Sequence, residues 1–140
     1  MVDLEQCRNQ RFVETQVEIA SARPVIVIVD DDPAVRNALA FSLQAEGFLV
    51  RSYASGMDLL EDSPTAGTSC LVIDYQLPGM NGLDLLAELR RRQVAAPAIL
   101  ITTHPSAVVR ERAAATGVAL VEKPLLGDAL FQEIHAALHG

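Results

Sequence analysis

Acidic side chains follow two short apolar runs in this sequence. Three aspartates, Asp30–Asp32, come directly after the run VIVIV, and Asp74 ends the run CLVI. Buried strands that deliver carboxylates at one edge of a sheet concentrate negative charge, which is costly unless a cation or a proton neutralises it. Mg²⁺ is a hard cation and binds most readily to oxygen donors such as carboxylates. The acids therefore predict a cation site where these strands end.

The composition indicates one globular domain. The chain has 140 residues, of which 50% are hydrophobic and 21% charged. Its net charge of -7 argues against direct nucleic-acid binding, which needs a basic surface. No apolar run is long enough to cross a bilayer, and the N-terminus lacks the features of a secretion signal. We therefore expect a cytoplasmic protein with no membrane contact.

Short β-branched runs alternate with longer stretches of helical spacing from Pro24 onward. This alternation predicts an α/β fold, a doubly wound five-stranded parallel sheet of the (βα)5 kind. The expected strands are Val25–Asp30, Phe48–Tyr53, Cys70–Asp74, Ala98–Thr102 and Val118–Val121. The expected helices begin after Asp32, Ser55 and Ser106, with two more from about Leu83 to Arg92 and from about Asp128 to Leu138. Residues 1–23 are predicted to form an N-terminal extension, either a tail or an extra helix, ahead of the main domain at 24–140.

The ends of the predicted strands carry a set of residues suited to phosphoryl transfer. In an open parallel sheet the functional crevice lies outside the carboxyl ends of the strands. Asp30 and Asp31 could hold Mg²⁺ there, which would leave Asp74 free to attack phosphorus. Thr102 could donate a hydrogen bond to a phosphoryl oxygen, and Lys123 could supply a fixed positive charge. Each residue alone has an ordinary structural explanation, and only their joint occurrence favours a site.

The same stretches resemble the receiver domain of two-component response regulators. The resemblance covers about residues 24–138, most closely the receivers that precede helix-turn-helix transcription domains. It lies in the stretches VIVDDDPAVR, LVIDYQLPGMNG, ILIT and EKP. It implies a flavodoxin-like sheet with strand order 2-1-3-4-5 and a cis peptide bond between Lys123 and Pro124.

The resemblance also implies residue roles. By this resemblance Asp74 is the phosphoacceptor, and Thr102 and Lys123 bind the phosphoryl oxygens. The implied Mg²⁺ ligands are Asp30, Asp31, Asp74 and the backbone carbonyl of Gln76. The implied donor is a sensor histidine kinase or a phosphotransfer protein, and the chain would catalyse only its own phosphorylation and dephosphorylation.

The implied output is a switched protein-interaction surface that serves an output domain or a partner protein. The resemblance also allows a homodimer through the fourth helix, fifth strand and fifth helix. Whether the chain acts alone or within a longer regulator is left open by the sequence. For the basic run 90–92 we favour a solvated helix end over a partner patch, and for His104 a loop residue over a proton or ligand role.

Three positions depart from the family pattern. Leu120 and Leu125 stand where aromatic residues are usual, and Thr103 stands where Ala or Gly is usual. We expect phosphorylation to be retained with an altered route of propagation, and Thr103 to crowd the mouth of the site. The alternative is a phosphorylation-independent interaction module. A Mg²⁺-dependent phosphatase is less favoured because those enzymes have a nucleophile on the first strand and a second acid two residues later, followed by Thr, whereas Pro33 follows Asp32 here and no Thr is nearby. A dinucleotide-binding domain is less favoured because no Gly-rich loop follows the first strand.

Overall fold

The computed structural model describes residues 23–62, 67–125 and 128–139. The strands are β1 (Val25–Val29), β2 (Leu49–Tyr53), β3 (Thr68–Asp74), β4 (Ala98–Thr102) and β5 (Ala119–Glu122). The helices are α1 (Pro33–Ala45), α2 (Gly56–Asp62), α3 (Gly82–Arg91), α4 (Ala107–Ala115) and α5 (Ala129–His139). The predicted N-terminal extension lies outside the described residues, apart from Arg23.

The five strands form one parallel sheet in the order β2-β1-β3-β4-β5. This confirms the predicted doubly wound sheet and its strand order. Val29 of β1 pairs with Ile73 of β3, and Asp74 pairs with Ile101 of β4, so these strands end level with one another. Strand order reverses between β1 and β3, which places a crevice outside their carboxyl ends.

Both faces of the sheet are covered by apolar side chains, as expected of central parallel strands. Successive residues of a strand point to opposite faces. One face of β1, β3 and β4 packs under α2, α3 and α4, and the other packs under α1 and α5. The largest fully buried side chains on the two faces include Leu71, Ile73 and Leu100 on the first, and Ile26, Ile28, Leu43 and Ile134 on the second.

Short polar side chains begin the helices. The Asp32 carboxylate accepts a hydrogen bond from Ala34 N at 2.9 Å and caps α1, with Pro33 as the first helical residue. Asn81 caps α3 and Ser106 caps α4 through bonds of 2.8 and 3.2 Å. The Ser55 hydroxyl likewise accepts from Asp58 N at the start of α2. The sequence indicated Asp32, Ser55 and Ser106, because these residue types satisfy the free N–H groups of a helix start. Asn81 was not among the predicted caps.

β3 is longer than predicted at its start. It begins at Thr68 rather than Cys70, and Thr68 pairs with Val25. The Ser69 hydroxyl also accepts a hydrogen bond from Val25 N at 3.2 Å. These two residues carry no apolar signal, so hydrophobic patterning could not reveal their place in the sheet.

None of the described helices combines the length and the apolar character that crossing a membrane requires.

Candidate functional site

Three aspartates meet at the carboxyl edge of the sheet. Asp30 directly follows β1 and is 0% exposed, and Asp74 ends β3 and is 4% exposed. Asp31 is exposed on the rim above them. One carboxylate oxygen from each of these residues lies within 4.8 Å of the other two. The structure therefore brings together the three side chains that the sequence predicted as metal ligands.

Backbone N–H groups of the following loops orient the two buried carboxylates. Asp32 N donates to Asp30 Oδ1 at 2.9 Å, and Gln76 N donates to Asp74 Oδ1 at 3.2 Å. Both contacts span two residues, so each strand fixes its own acid by turning sharply just after it. Asp32 uses its own side chain as a helix cap, which explains why the third aspartate of the run is not part of the cluster.

Lys123 bridges the two buried carboxylates. Its Nζ lies 3.0 Å from Asp74 Oδ2, with which it forms a hydrogen bond, and 3.0 Å from Asp30 Oδ2. The second contact is an ion pair rather than an aligned hydrogen bond, because Asp30 Oδ2 accepts no hydrogen bond from any described residue. Three carboxylates and one ammonium leave two negative formal charges at the site.

The electrostatics of the cluster favour an added cation. Burial raises the pKa of Asp74, and the charge of Asp30 raises it further, against the opposing effect of Lys123. Burial alone would lower the pKa of Lys123, but its contacts with Asp74 and Asp30 outweigh burial and raise it. One ammonium therefore does not fully relieve the repulsion between the carboxylates.

The donor set fits a magnesium ion. Mg²⁺ prefers a few hard oxygen ligands and keeps several waters, as an open cluster of carboxylates at a rim allows. Asp30 Oδ2 is buried, accepts no hydrogen bond from the described residues and pairs with the Lys123 ammonium, so it retains lone pairs for a metal ion. A single divalent cation would also balance the two remaining negative charges.

The other predicted site residues lie around this cluster. Thr102 is 2% exposed at the end of β4, and its carbonyl accepts a hydrogen bond from Lys123 N at 2.7 Å. The peptide bond between Lys123 and Pro124 is cis, as the resemblance implied. Beside the cluster is a shallow groove. Its lining residues are Asp31, Tyr75, Gln76, Leu77, Pro78 and Asn81.

The residues that depart from the family pattern differ in burial. Thr103 directly follows Thr102 and is exposed. His104 lies in the loop after β4 with a φ of 48°, and its side chain is exposed. Leu120 is half-buried and packs against the apolar cluster under α2, α3 and α4. Leu125 packs against the cluster on the opposite face.

The sequence analysis missed Arg36. Its guanidinium Nη1 donates to the carbonyl oxygen of Asp30 at 2.8 Å. This bond ties the first turn of α1 to the backbone that carries both Asp30 and Asp31. Side chains on a helix lean toward its N-terminus, so an arginine early in a helix that follows an acidic loop can reach back to that loop.

The basic run at the end of α3 is engaged within the chain. Arg90 donates to the carbonyls of Val94 and Ala96, both at 2.7 Å. Arg91 and Arg92 pair with Glu88, and Arg92 also donates to the carbonyl of Leu60 at 3.1 Å. These bonds join the end of α3 to the loop that follows it and to α2. They support the interpretation of the run as a structural helix end rather than a partner-binding patch.

Comparison with known proteins defines the class. The family model described as "Response regulator receiver domain" matches residues 26–135. The chain therefore belongs to the receiver domain family of two-component response regulators, whose general function is to be phosphorylated by a kinase.

Individual relatives agree with this membership. The chain is 34% identical over 119 residues to nodulation protein W of Bradyrhizobium diazoefficiens, covering 84% of this chain and 52% of that protein. It is 34% identical over 112 residues to the transcriptional regulatory protein FixJ of Azorhizobium caulinodans, covering 79% and 53%. The chain thus spans about half the length of these relatives.

The fold has close structural counterparts. A CheY-like receiver domain protein from Methanospirillum hungatei superposes with a TM-score of 0.77 at 25% identity, covering 84% of this chain and 95% of the other.

Proposed function

We propose that this chain accepts a phosphoryl group on Asp74, in the presence of Mg²⁺, from a phosphohistidine of a sensor kinase or phosphotransfer protein. One observation carries the proposal. Oxygens of Asp30, Asp31 and Asp74 lie within 4.8 Å of one another, and Lys123 Nζ contacts two of these three residues. A carboxylate held beside two others and an ammonium group is suited to accept a phosphoryl group.

The metal would be held by the three carboxylates and the backbone carbonyl of Gln76. When bound, Mg²⁺ neutralises charge on the incoming phosphoryl group and on the carboxylates around it. The residues of the chain do the rest of the positioning. The N–H of Gln76 keeps the Asp74 carboxylate in place, and the Arg36 guanidinium keeps the Asp30 backbone in place.

The transfer step forms one bond and breaks one. A carboxylate oxygen of Asp74 attacks phosphorus, and the P–N bond of the phosphohistidine breaks with its electron pair leaving on the imidazole nitrogen. The Lys123 ammonium, which contacts Asp74 before transfer, is placed to pair with a phosphoryl oxygen afterwards. Thr102, at the end of the neighbouring strand, offers its hydroxyl to the same group.

The proposal includes no external substrate. The chain would catalyse only its own phosphorylation and the later hydrolysis of its aspartyl phosphate. It would act in the cytoplasm and transmit the change through a protein-interaction surface. The predicted dimer face of α4, β5 and α5 stays a prediction, and it carries the exposed Val108 and the ion pair between Arg110 and Glu122.

Intact-mass measurement tests the proposal. Wild-type protein incubated with Mg²⁺ and acetyl phosphate should gain the mass of one phosphoryl group, and omission of Mg²⁺ should remove most of that gain. Asp74→Asn should gain none, and Asp31→Asn should gain it far more slowly. Arg112→Gln, on the exposed face of α4, is the control and should match wild type. A folded wild-type protein that stays unmodified would overturn the proposal, and steady turnover of phosphate esters would favour a phosphatase.

A second candidate is an interaction module that does not use phosphate. Leu120 favours it, because an aliphatic side chain packed against the core has no ring to swing and no hydroxyl to bond. A partner that binds wild type and Asp74→Asn equally, with and without acetyl phosphate, would support this candidate.

Thr103→Ala tests the hypothesis that Thr103 crowds the mouth of the site. Faster phosphorylation or decay than in wild type is expected only if Thr103 restricts access.

A further inference from the structure

Two histidines lie one helical turn apart near the end of α5. His135 and His139 have the i, i+4 spacing that places side chains next to each other on one helix face. Both side chains are exposed. Their rings are stacked, with centroids 6.3 Å apart and an angle of 1° between the ring planes. The fold and the proposed phosphoryl site do not use this pair.

The core holds one member of the pair in position. The ring of Phe48, which is 8% exposed, lies against His135 with a centroid separation of 5.8 Å. Phe48 is itself part of the apolar cluster beneath α1 and α5. His135 is therefore supported on one side by a buried ring and faces His139 along the helix.

The i, i+4 spacing puts the two rings within reach of one ion after a side-chain rotation. Zn–N bonds of about 2.0–2.1 Å in a tetrahedral site place two imidazole centroids roughly 5 Å apart. The rings are 6.3 Å apart and parallel, so their in-plane lone pairs do not meet, and binding requires the exposed His139 to rotate until both ring planes pass through the metal. Two histidines at i, i+4 on a helix are the pair that supplies zinc ligands in HExxH sites.

The ligand chemistry selects the kind of metal. Imidazole suits Zn²⁺, Ni²⁺ and Cu²⁺, whereas Mg²⁺ prefers oxygen ligands. Within the described ranges, no group of three metal-ligating side chains includes either histidine. The pair would therefore supply two ligands, with water or a donor from another molecule in the remaining positions.

This pair is remote from the carboxylates. Asp30 and Asp74 lie where their strands end, whereas Phe48, the neighbour of His135, directly precedes the start of β2. Because the strands are parallel, those positions are at opposite edges of the sheet. A metal at the histidines would not share ligands with the Mg²⁺ site.

We propose that His135 and His139 form a binding site for a divalent transition-metal ion such as Zn²⁺ or Ni²⁺, separate from the phosphoryl-accepting site.

Zn²⁺ titration of tag-free protein, followed by NMR of the imidazole resonances, tests this site. Excess Mg²⁺ is kept in the buffer to occupy the carboxylates. We expect saturable one-to-one shifts of His135 and His139, with His104 unaffected. His139→Ala should weaken binding by at least about tenfold, because loss of one ligand removes the chelate.

A second variant tests whether the spacing of the two histidines, rather than their number, determines Zn²⁺ binding. Ala136→His combined with His139→Ala keeps two histidines on α5 but points them in different directions, and Ala136 is exposed. It should bind as weakly as His139→Ala, whereas His104→Ala should bind like wild type. Equal Zn²⁺ affinity in wild type and His139→Ala, or shifts confined to residues around Asp74, would overturn the proposal.

Discussion

At the scale of residues, the acid cluster depends on a single ammonium group. Lys123 is 18% exposed and contacts Asp30 and Asp74, whose side chains are 0% and 6% exposed. By contrast, Arg110 and Glu122 form an ion pair in which both side chains are about half exposed. Charge pairs removed from water are strongly coupled, and exposed pairs contribute little. The lysine thus has a structural role that precedes any chemistry.

We expect Lys123→Met to destabilise the metal-free protein by roughly 3 kcal/mol, because it leaves two buried carboxylates without a counter-charge. Urea unfolding in the presence of a chelator measures the loss, and added Mg²⁺ should recover part of it. Arg110→Met is the matched control and should change stability by less than about 1 kcal/mol. Equal effects of the two substitutions would contradict the electrostatic account of the cluster.

The raised pKa of Asp74 gives a prediction about pH. An acid with a higher pKa in the folded state retains a proton that the unfolded chain has released. Its contribution to stability is therefore full below the unfolded pKa of about 3.9 and declines as pH rises through the folded value. Without metal, Asp74→Asn should gain stability relative to wild type as pH rises through this window. Urea unfolding across the pH range checks it, and a relative loss would show that the pKa is lowered instead.

At the scale of elements, three helices end with the same motif. After α1, α3 and α4, a residue with positive φ reverses the chain, and the next N–H bonds back to the carbonyls of Leu43, Leu89 and Ala113. Gly47 and Gly117 occupy the left-handed position of two of them, where a residue without a Cβ is favoured. Gln93 occupies it in the third with a φ of 67°. Glutamine is strained there because its Cβ crowds the backbone.

Gln93→Gly should therefore stabilise the protein. Relief of the left-handed strain is worth about 1–2 kcal/mol, and the greater freedom of glycine in the unfolded chain offsets about half of that. The expected net gain is roughly 0.5–1 kcal/mol by urea unfolding. The reverse change Gly47→Gln should be destabilising by a similar amount, since a Cβ at Gly47 meets nothing within 4 Å. A loss of stability in Gln93→Gly would mean that its side chain makes a compensating contact.

The start of α3 lies very close to β3, which carries Asp74, the proposed phosphoacceptor. A Cβ on Gly82 would lie 2.6 Å from the carbonyl oxygen of Asp74 and 2.8 Å from Leu100 Cδ1. Gly82 N also donates to the carbonyl of Tyr75 at 2.8 Å. Only glycine allows this approach, which fixes the loop between β3 and α3 beside the site.

Gly82→Ala should destabilise the protein by about 2–3 kcal/mol, because the added methyl group meets rigid backbone. It should also weaken Mg²⁺ binding, since Asp74 must shift. Gly56→Ala is the control, because its Cβ would meet the flexible ends of Met80 and Leu85 at 3.0 and 3.2 Å. Thermal unfolding and a Mg²⁺ titration compare the two, and a Gly82→Ala protein as stable as Gly56→Ala would exclude the close contact.

At the scale of the whole molecule, the sequence was informative wherever burial follows from local pattern. Apolar runs on both faces identified the strands, and Asp32, Ser55 and Ser106 identified helix starts. The edge on which Asp30 and Asp74 meet follows from the parallel topology alone. The sequence-based analysis could not show that Lys123 bridges both acids, or that Arg36 holds the Asp30 carbonyl. These contacts depend on how separate loops are placed, which no local pattern encodes.

The route from the site to the surface is also a property of the whole fold. Leu120 already packs against the core and lies opposite Leu100 in the sheet register. A response to phosphorylation would therefore depend on small shifts of β4, β5 and α4 rather than on the swing of an aromatic ring. The proposed metal binding and phosphoryl acceptance do not depend on an aromatic residue at position 120.

Phosphoryl acceptance by Asp74 beside a Mg²⁺ ion can be tested by an NMR titration with Mg²⁺ and then beryllofluoride, which stands in for the phosphoryl group. We expect Mg²⁺ to shift the resonances of Asp30, Asp31 and Gln76. We further expect beryllofluoride to cause one saturable, Mg²⁺-dependent set of shifts that includes Thr102 and Lys123. These shifts should be absent in Asp74→Asn. No beryllofluoride response in the wild type, or an identical response in Asp74→Asn, would contradict phosphoryl acceptance by Asp74.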